Sequence, residues 1–239
     1  MNRRLLVLFS AGCAWFSARA ADAHVTVASG PAIANATQLV TFQIGHGCPG
    51  AAAGDPNADT LSLTVDIPAG VTAVRAVPSA FGKAAVEKDA GSAVVSVTWT
   101  KTAGDELAAD DDFYTMSLRL KTPNLPFAQI YFSAHQTCKR ADGTTTTVDW
   151  IALPGDTTHE PAAALAIVPP RLPGWNTYTI GPGTHVPDMT IYFQDAQIVW
   201  RDNAAYSFNP VIAAAITTTP GVTTLSGGVH PDDVIWVRY

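Results

Sequence analysis

Six histidines occur in the 239 residues, and His24 follows Ala21-Asp22-Ala23 directly. Small residues at Ala21 and Ala23 satisfy the small-x-small rule for removal of a secretory leader, so the spacing predicts cleavage between Ala23 and His24. Ala18 and Ala20 offer a second match to the rule; cleavage there would bury His24 inside the chain. As residue one, His24 has a free α-amine beside its imidazole. The amine nitrogen and Nδ1 can then hold one ion as a pair, with almost no chain left to order. Two nitrogen donors in a tetragonal arrangement favour Cu(II), and copper heads the divalent affinity order. An α-amine titrates at about 7.7–8.0, so it is available near neutral pH.

His46 is the second candidate ligand. It sits in Ile44-Gly45-His46-Gly47-Cys48, where flanking glycines expose the ring and permit a close backbone approach. On an extended chain His46 and Cys48 point to one face. With Cys13 removed in the leader, Cys48 and Cys138 remain, and two cysteines in an exported protein read first as a disulfide. Gln136 shares parity with Cys138, whereas His135 points away and reads as a bystander. Trp150, at the end of Val148-Asp149-Trp150, is a core residue or a ring beside the metal that excludes water and presents its electron-rich face. His159, His185 and His230 lie in loop-like sequence and read as solvated. Asp110-Asp111-Asp112 lacks the regular oxygen spacing of a calcium loop and reads as an acidic turn. The chain has no Gly-x-Ser-x-Gly elbow, no His-Glu-x-x-His and no phosphate loop.

These residues need elements to hold them. Residues 1–23 carry a basic start, Asn2-Arg3-Arg4, and an apolar run too short for a span of ~20 residues. They read as a signal peptide, which places the mature protein in the periplasm or outside the cell. The formal net charge of −6 argues against nucleic acid, whose binding rests on Lys and Arg neutralising phosphates. Strands are expected at 24–28, 38–44, 60–67, 93–100, 112–121, 129–136 and 145–153, several with clean alternation. About seven short strands separated by turn signals indicate an all-β antiparallel sandwich. Ala141-Asp142-Gly143 should turn a hairpin. The Ala- and Pro-rich stretch 157–173 reads as a linker. Residues 174–239 read as a small β-rich unit with strands at 190–193, 197–200 and 234–237 and a helix at 210–217. Its core is marginal for its length, so it should pack on the sandwich at 24–156.

Ala23-His24-Val25-Thr26-Val27, His46-Gly47-Cys48, Ile67-Pro68-Ala69-Gly70-Val71, Gln136-Thr137-Cys138 and Asp149-Trp150-Ile151, in that order, resemble the YcnI-like family of exported bacterial copper-binding domains. The resemblance runs from about His24 to Leu153. It implies an immunoglobulin-like sandwich, Cu(II) held by the amine and imidazole of His24, and a tryptophan, Trp150, beside the ion. Some members supply a glutamate where this chain has His46. Many have Pro-Gly-Trp where this chain has Pro78-Ser79-Ala80-Phe81. The function expected is periplasmic Cu(II) binding in copper storage, delivery or detoxification, with the copper ion and other copper-handling envelope proteins as partners and no catalysis. The competing readings are an oxidative copper enzyme of the monooxygenase type, with Tyr131 as an axial candidate, and a non-metal envelope binding module.

Overall fold

The computed structural model describes residues 24–52, 54–105, 110–182, 184, 186 and 189–239. The expected leader, residues 1–23, lies outside them, as does His185. The strands are β1 (Val25–Val27), β2 (Ala32–Ile33), β3 (Thr37–Ile44), β4 (Asp59–Asp66), β5 (Thr72–Ala76), β6 (Lys83–Lys88), β7 (Val94–Thr100), β8 (Tyr114–Lys121), β9 (Gln129–Phe132), β10 (Ala134–Lys139), β11 (Thr145–Ala152), β12 (Glu160–Pro161) and β13 (Ala163–Val168). After them come β14 (Trp175–Thr179), α1 (Met189–Phe193), β15 (Ile198–Arg201), β16 (Ala204–Tyr206), α2 (Pro210–Thr218), β17 (Thr223–Thr224) and β18 (Val234–Arg238).

One sheet runs β1-β3-β8-β5 and a second runs β12-β11-β10-β4-β7-β6. Pairing within the first sheet is antiparallel throughout, and only the short β11–β12 pair of the second is parallel. Period-two alternation builds the core between them. Val40, Phe42 and Ile44 of β3 and Met116, Leu118 and Leu120 of β8 bury against Leu63, Val65, Val97, Trp99 and Phe132. A side-chain period of two sends each buried residue's neighbours to the other face of its strand. The result is an immunoglobulin-like antiparallel sandwich followed by a small β-rich C-terminal unit. The interior also holds an ion pair: buried Lys101 meets the Asp59 carboxylate, and Tyr114 donates from its hydroxyl to Asp59 Oδ1 at 2.8 Å. Burial, with the hydrogen bond to Asp59 next, holds the Tyr114 phenol far above its ordinary range.

Three elements differ from the sequence reading. The expected linker, 157–173, contains β12 and β13. Ala163, Leu165 and Ile167 of β13 belong to the sandwich core, while Ala166 and Val168 belong to the C-terminal core. A strand buried on both faces reads as a continuous apolar run, which conceals the period of two. The expected strand at 190–193 is instead α1, which buries Met189, Tyr192 and Phe193. That spacing of three and four is helical, and packing overrides the strand preference of Thr, Ile and Tyr. The single strand expected at 129–136 is divided at Ser133. β9 pairs with β13 and β10 pairs with β4 and β11.

The C-terminal unit is a five-stranded sheet, β14-β18-β15-β16-β17. Phe127, from the loop before β9, enters its core with ring centroids 5.7 Å from Tyr178 and 5.7 Å from Phe193. The helix expected at 210–217 is α2, which Asn209 caps by accepting from the Val211 amide at 2.9 Å. Among the described residues, no helix is long and apolar enough to cross a membrane.

Candidate metal centre

β1 pairs with the end of β3 in the register Val25↔Ile44 and Thr26↔Gln43. His24 precedes the last pair of this ladder by one residue and His46 follows it by two, so both lie at this end of the sheet. The His24 ring is half-buried, and its centroid lies 5.4 Å from that of Trp150, the planes inclined at 53°. Trp150 belongs to the facing sheet and is only 5% exposed. It is therefore a core residue whose ring also meets that of His24.

Gln136 ties this corner together. It is fully buried on the inward face of β10, which it shares with Ala134, Cys138 and, across the ladder, Trp150. Its Nε2 donates to the His46 carbonyl at 3.1 Å and to Thr60 Oγ1 at 2.8 Å, and its Oε1 accepts from Trp150 Nε1 at 3.1 Å. Both amide hydrogens and the carbonyl are thus engaged, as a buried amide requires. The sequence showed the parity of Gln136 and Cys138 but gave no sign that the amide joins His46 to Trp150.

β3 ends at Ile44, so His46 stands in a bend and not on a strand. The parity argument that aligned it with Cys48 does not apply. Gly47 has a steric reason instead: a Cβ there would lie 1.8 Å from the Ala58 carbonyl oxygen. That close approach accompanies the bridge between Cys48 and Ala58. The His46 ring lies with Nδ1 2.8 Å from the Gly47 carbonyl oxygen. A carbonyl only accepts, so Nδ1 is the donor of this contact. The disulfide is present: Cys48 and Cys138 are joined with a Cα–Cα distance of 5.8 Å, and both are buried.

Asp110 is a residue the sequence reading set aside. One of its oxygens, Oδ1, is buried without a hydrogen-bond partner among the described residues, and it would lie 3.2 Å from a Cβ built on Gly47. The other, Oδ2, accepts from Asn57 at 3.3 Å. A sheltered carboxylate oxygen with an unused acceptor site beside the His46 turn is a candidate donor. The three consecutive aspartates were its only sequence signal. Among the described residues, no group of three or more His, Cys, Asp or Glu side chains is gathered as a metal cage.

His135 is on the outward face, as its parity predicts. It lies between two carboxylates, with Nδ1 2.7 Å from Asp149 Oδ1 and Nε2 3.4 Å from Asp66 Oδ2. The hydrogen bond to Asp149, assisted by Asp66 and opposed by partial burial, raises its pKa above the ordinary histidine value. A raised pKa stabilises the fold where the ring is protonated in both states, below the unfolded value near 6.5, and this is lost as pH rises through the folded value. His135→Ala should therefore destabilise the protein more at pH 5.5 than at pH 8.5, as urea denaturation at the two values measures. Equal losses would show that the carboxylates do not favour the charged ring. Tyr131, the axial candidate, donates from its hydroxyl to Gln129 Oε1 at 2.9 Å. His159 lies 3.0 Å from Asp156 and is partly exposed.

The family model for a domain of unknown function, DUF1775, matches residues 24–167. The chain belongs to this family. DUF1775 is the family that the sequence motifs resemble under its YcnI-like name. The match extends past the expected boundary at 156 and takes in most of β13, whose Leu165 and Ile167 complete the sandwich core. A crystal structure of an uncharacterized protein from Nocardia farcinica, described as revealing an immunoglobulin-like fold, is similar at 26% identity with a TM-score of 0.47. That similarity covers 61% of this chain and 98% of the Nocardia chain. No curated protein matches the chain.

Proposed function

We propose that this DUF1775 protein is exported, cleaved before His24, and binds Cu(II) in the periplasm for copper storage, delivery or detoxification. The observation that carries this reading is the His24 ring packed against Trp150 at 5.4 Å, with His24 and His46 at the same end of the β1–β3 ladder. The amine and imidazole of His24 supply two nitrogen donors. His46 supplies a third. The indole of Trp150 limits water on one side of the site, and Gln136 fixes that indole against the His46 turn. An ion held by nitrogen donors on an open edge of a sandwich is accessible for transfer to a partner, which suits delivery or storage better than a closed structural site.

The test is a Cu(II) titration of protein recovered from the periplasm, with intact mass confirming His24 as residue one. One Cu(II) per chain should be retained through buffer exchange, and electron paramagnetic resonance should show coupling to nitrogen. His46→Ala should weaken binding less than loss of the His24 amine and change the spectrum. A processed protein that retains no copper would refute the proposal and favour a non-metal envelope module.

A further inference from the structure

The sheet of the C-terminal unit has one buried and one open face. Val199, Ile235 and Val237 point into the unit's core. Their strand neighbours point outward. Trp175 is 55% exposed and Trp236 42%, Trp200 is half-buried, and Arg238 and Thr177 are exposed. Trp236 is paired directly with Thr177 on one side and Trp200 on the other, while Trp175 is paired with Arg238. Strands in a sheet lie about 4.8 Å apart, so indoles on β14, β18 and β15 span roughly 10 Å across the face. Together with Asp202, in the turn after β15, the three tryptophans line a shallow recess of about 430 Å³.

Large exposed indoles gathered on one face mark a binding surface. The surrounding charges select its ligand. One carboxylate and one guanidinium flank the rings, and the chain is acidic overall at −6. A single-stranded nucleic acid would also stack on tryptophans but needs a basic groove. A quaternary ammonium ion needs rings that enclose it. Here the rings are spread over three strands of a flat sheet, and Arg238 would repel a cation. A neutral pyranose matches what is present. Its axial C–H faces lie on indole rings, and its equatorial hydroxyls reach sideways to the Asp202 carboxylate, the Arg238 guanidinium and the Thr177 hydroxyl. Rings repeated across successive strands suit successive sugars of an extended chain.

We propose that Trp175, Trp200 and Trp236, with Asp202 at their edge, form a platform that binds a neutral β-linked glycan. The platform is separate from the His24 corner and does not depend on copper. The test titrates full-length processed protein with cellohexaose and, separately, N-acetylchitohexaose, read by tryptophan fluorescence and calorimetry, with a polyproline peptide and phosphatidylcholine vesicles as competing probes. Saturable binding of at least one hexasaccharide is expected. Trp175→Ala and Trp236→Ala should each weaken it roughly tenfold or more, in line with the loss of one stacked ring, and Trp236→Phe should weaken it less. Near-ultraviolet circular dichroism of the variants controls for folding. Failure to bind either sugar at millimolar concentration, unchanged binding in both alanine variants, or capture of only the peptide or the vesicles would overturn the proposal.

Discussion

Cu(II) affinity is expected to collapse when a single residue precedes His24. An added methionine converts the α-amine into an amide, which is not a basic donor, and leaves the imidazole in place. The two-nitrogen chelate becomes a single contact. Loss of partners that merely support a ligand lowers metal affinity by about 10–100-fold, so loss of a donor should cost at least roughly 100-fold. His24→Ala should do no more damage than the added methionine, because each removes one member of the same pair. The comparison separates the chelate from a simple histidine site, where the extra residue would be harmless and His24→Ala severe. Trp150 helps define the result: its ring contact with His24 does not depend on the amine. The extended protein should therefore keep the fold and the Trp150 environment while losing copper. Competition against a chelator of known affinity measures the difference. Equal affinities for extended and processed protein would exclude the chelate.

Removing the disulfide should have the largest effect on stability. Cys48 and Cys138 are 90 residues apart in sequence. On the chain-entropy account, a loop of that length contributes about 4–5 kcal/mol by restricting the unfolded chain. Both cysteines are buried, and Val148 packs against their cluster. The Cys48–Cys138 to Ser–Ser double variant should thus lose most of that amount, since the constraint on the unfolded chain is removed. Guanidinium denaturation of the oxidised parent and the double variant provides the number. A loss below about 1 kcal/mol would show that the unfolded chain is already restricted at this point. The substitution should also reach the candidate metal centre. Cys48 stands two residues after His46, and Cys138 two residues after Gln136, whose amide holds both the His46 carbonyl and the Trp150 indole. A looser tie there should broaden the Cu(II) spectrum even where the fold persists.

The sequence alone determined the local features. Alternation in β4 and β8 was legible because each strand has one face in the core and one turned outward, and such strands record their orientation in every second residue. The short apolar run at 210–217 read as a helix, and in the structure Asn209 and Pro210 start α2 there by a cap and a fixed φ that act within a few residues. Two cysteines left once the expected leader is set aside made the disulfide readable. Tertiary structure decided everything that depends on two faces or two distant segments. β13 was hidden because it is buried on both sides, where no polar residue marks the period. α1 was hidden because its strand-forming residues are helical only when Met189, Tyr192 and Phe193 have a core to enter. At the candidate site the sequence named His24, His46 and Trp150 as separate residues. Only the register of β1 on β3, set by which residues must be buried, brings His24 and His46 to one end of the sheet. Only the packing of the two sheets presses Trp150 against His24, and only the buried Gln136 amide, which must satisfy three partners at once, locks the His46 turn to that ring. Asp110 was unreadable for the same reason. Its character as a donor lies in an oxygen left without a partner, and an unmet hydrogen bond exists only once the chain has folded around it.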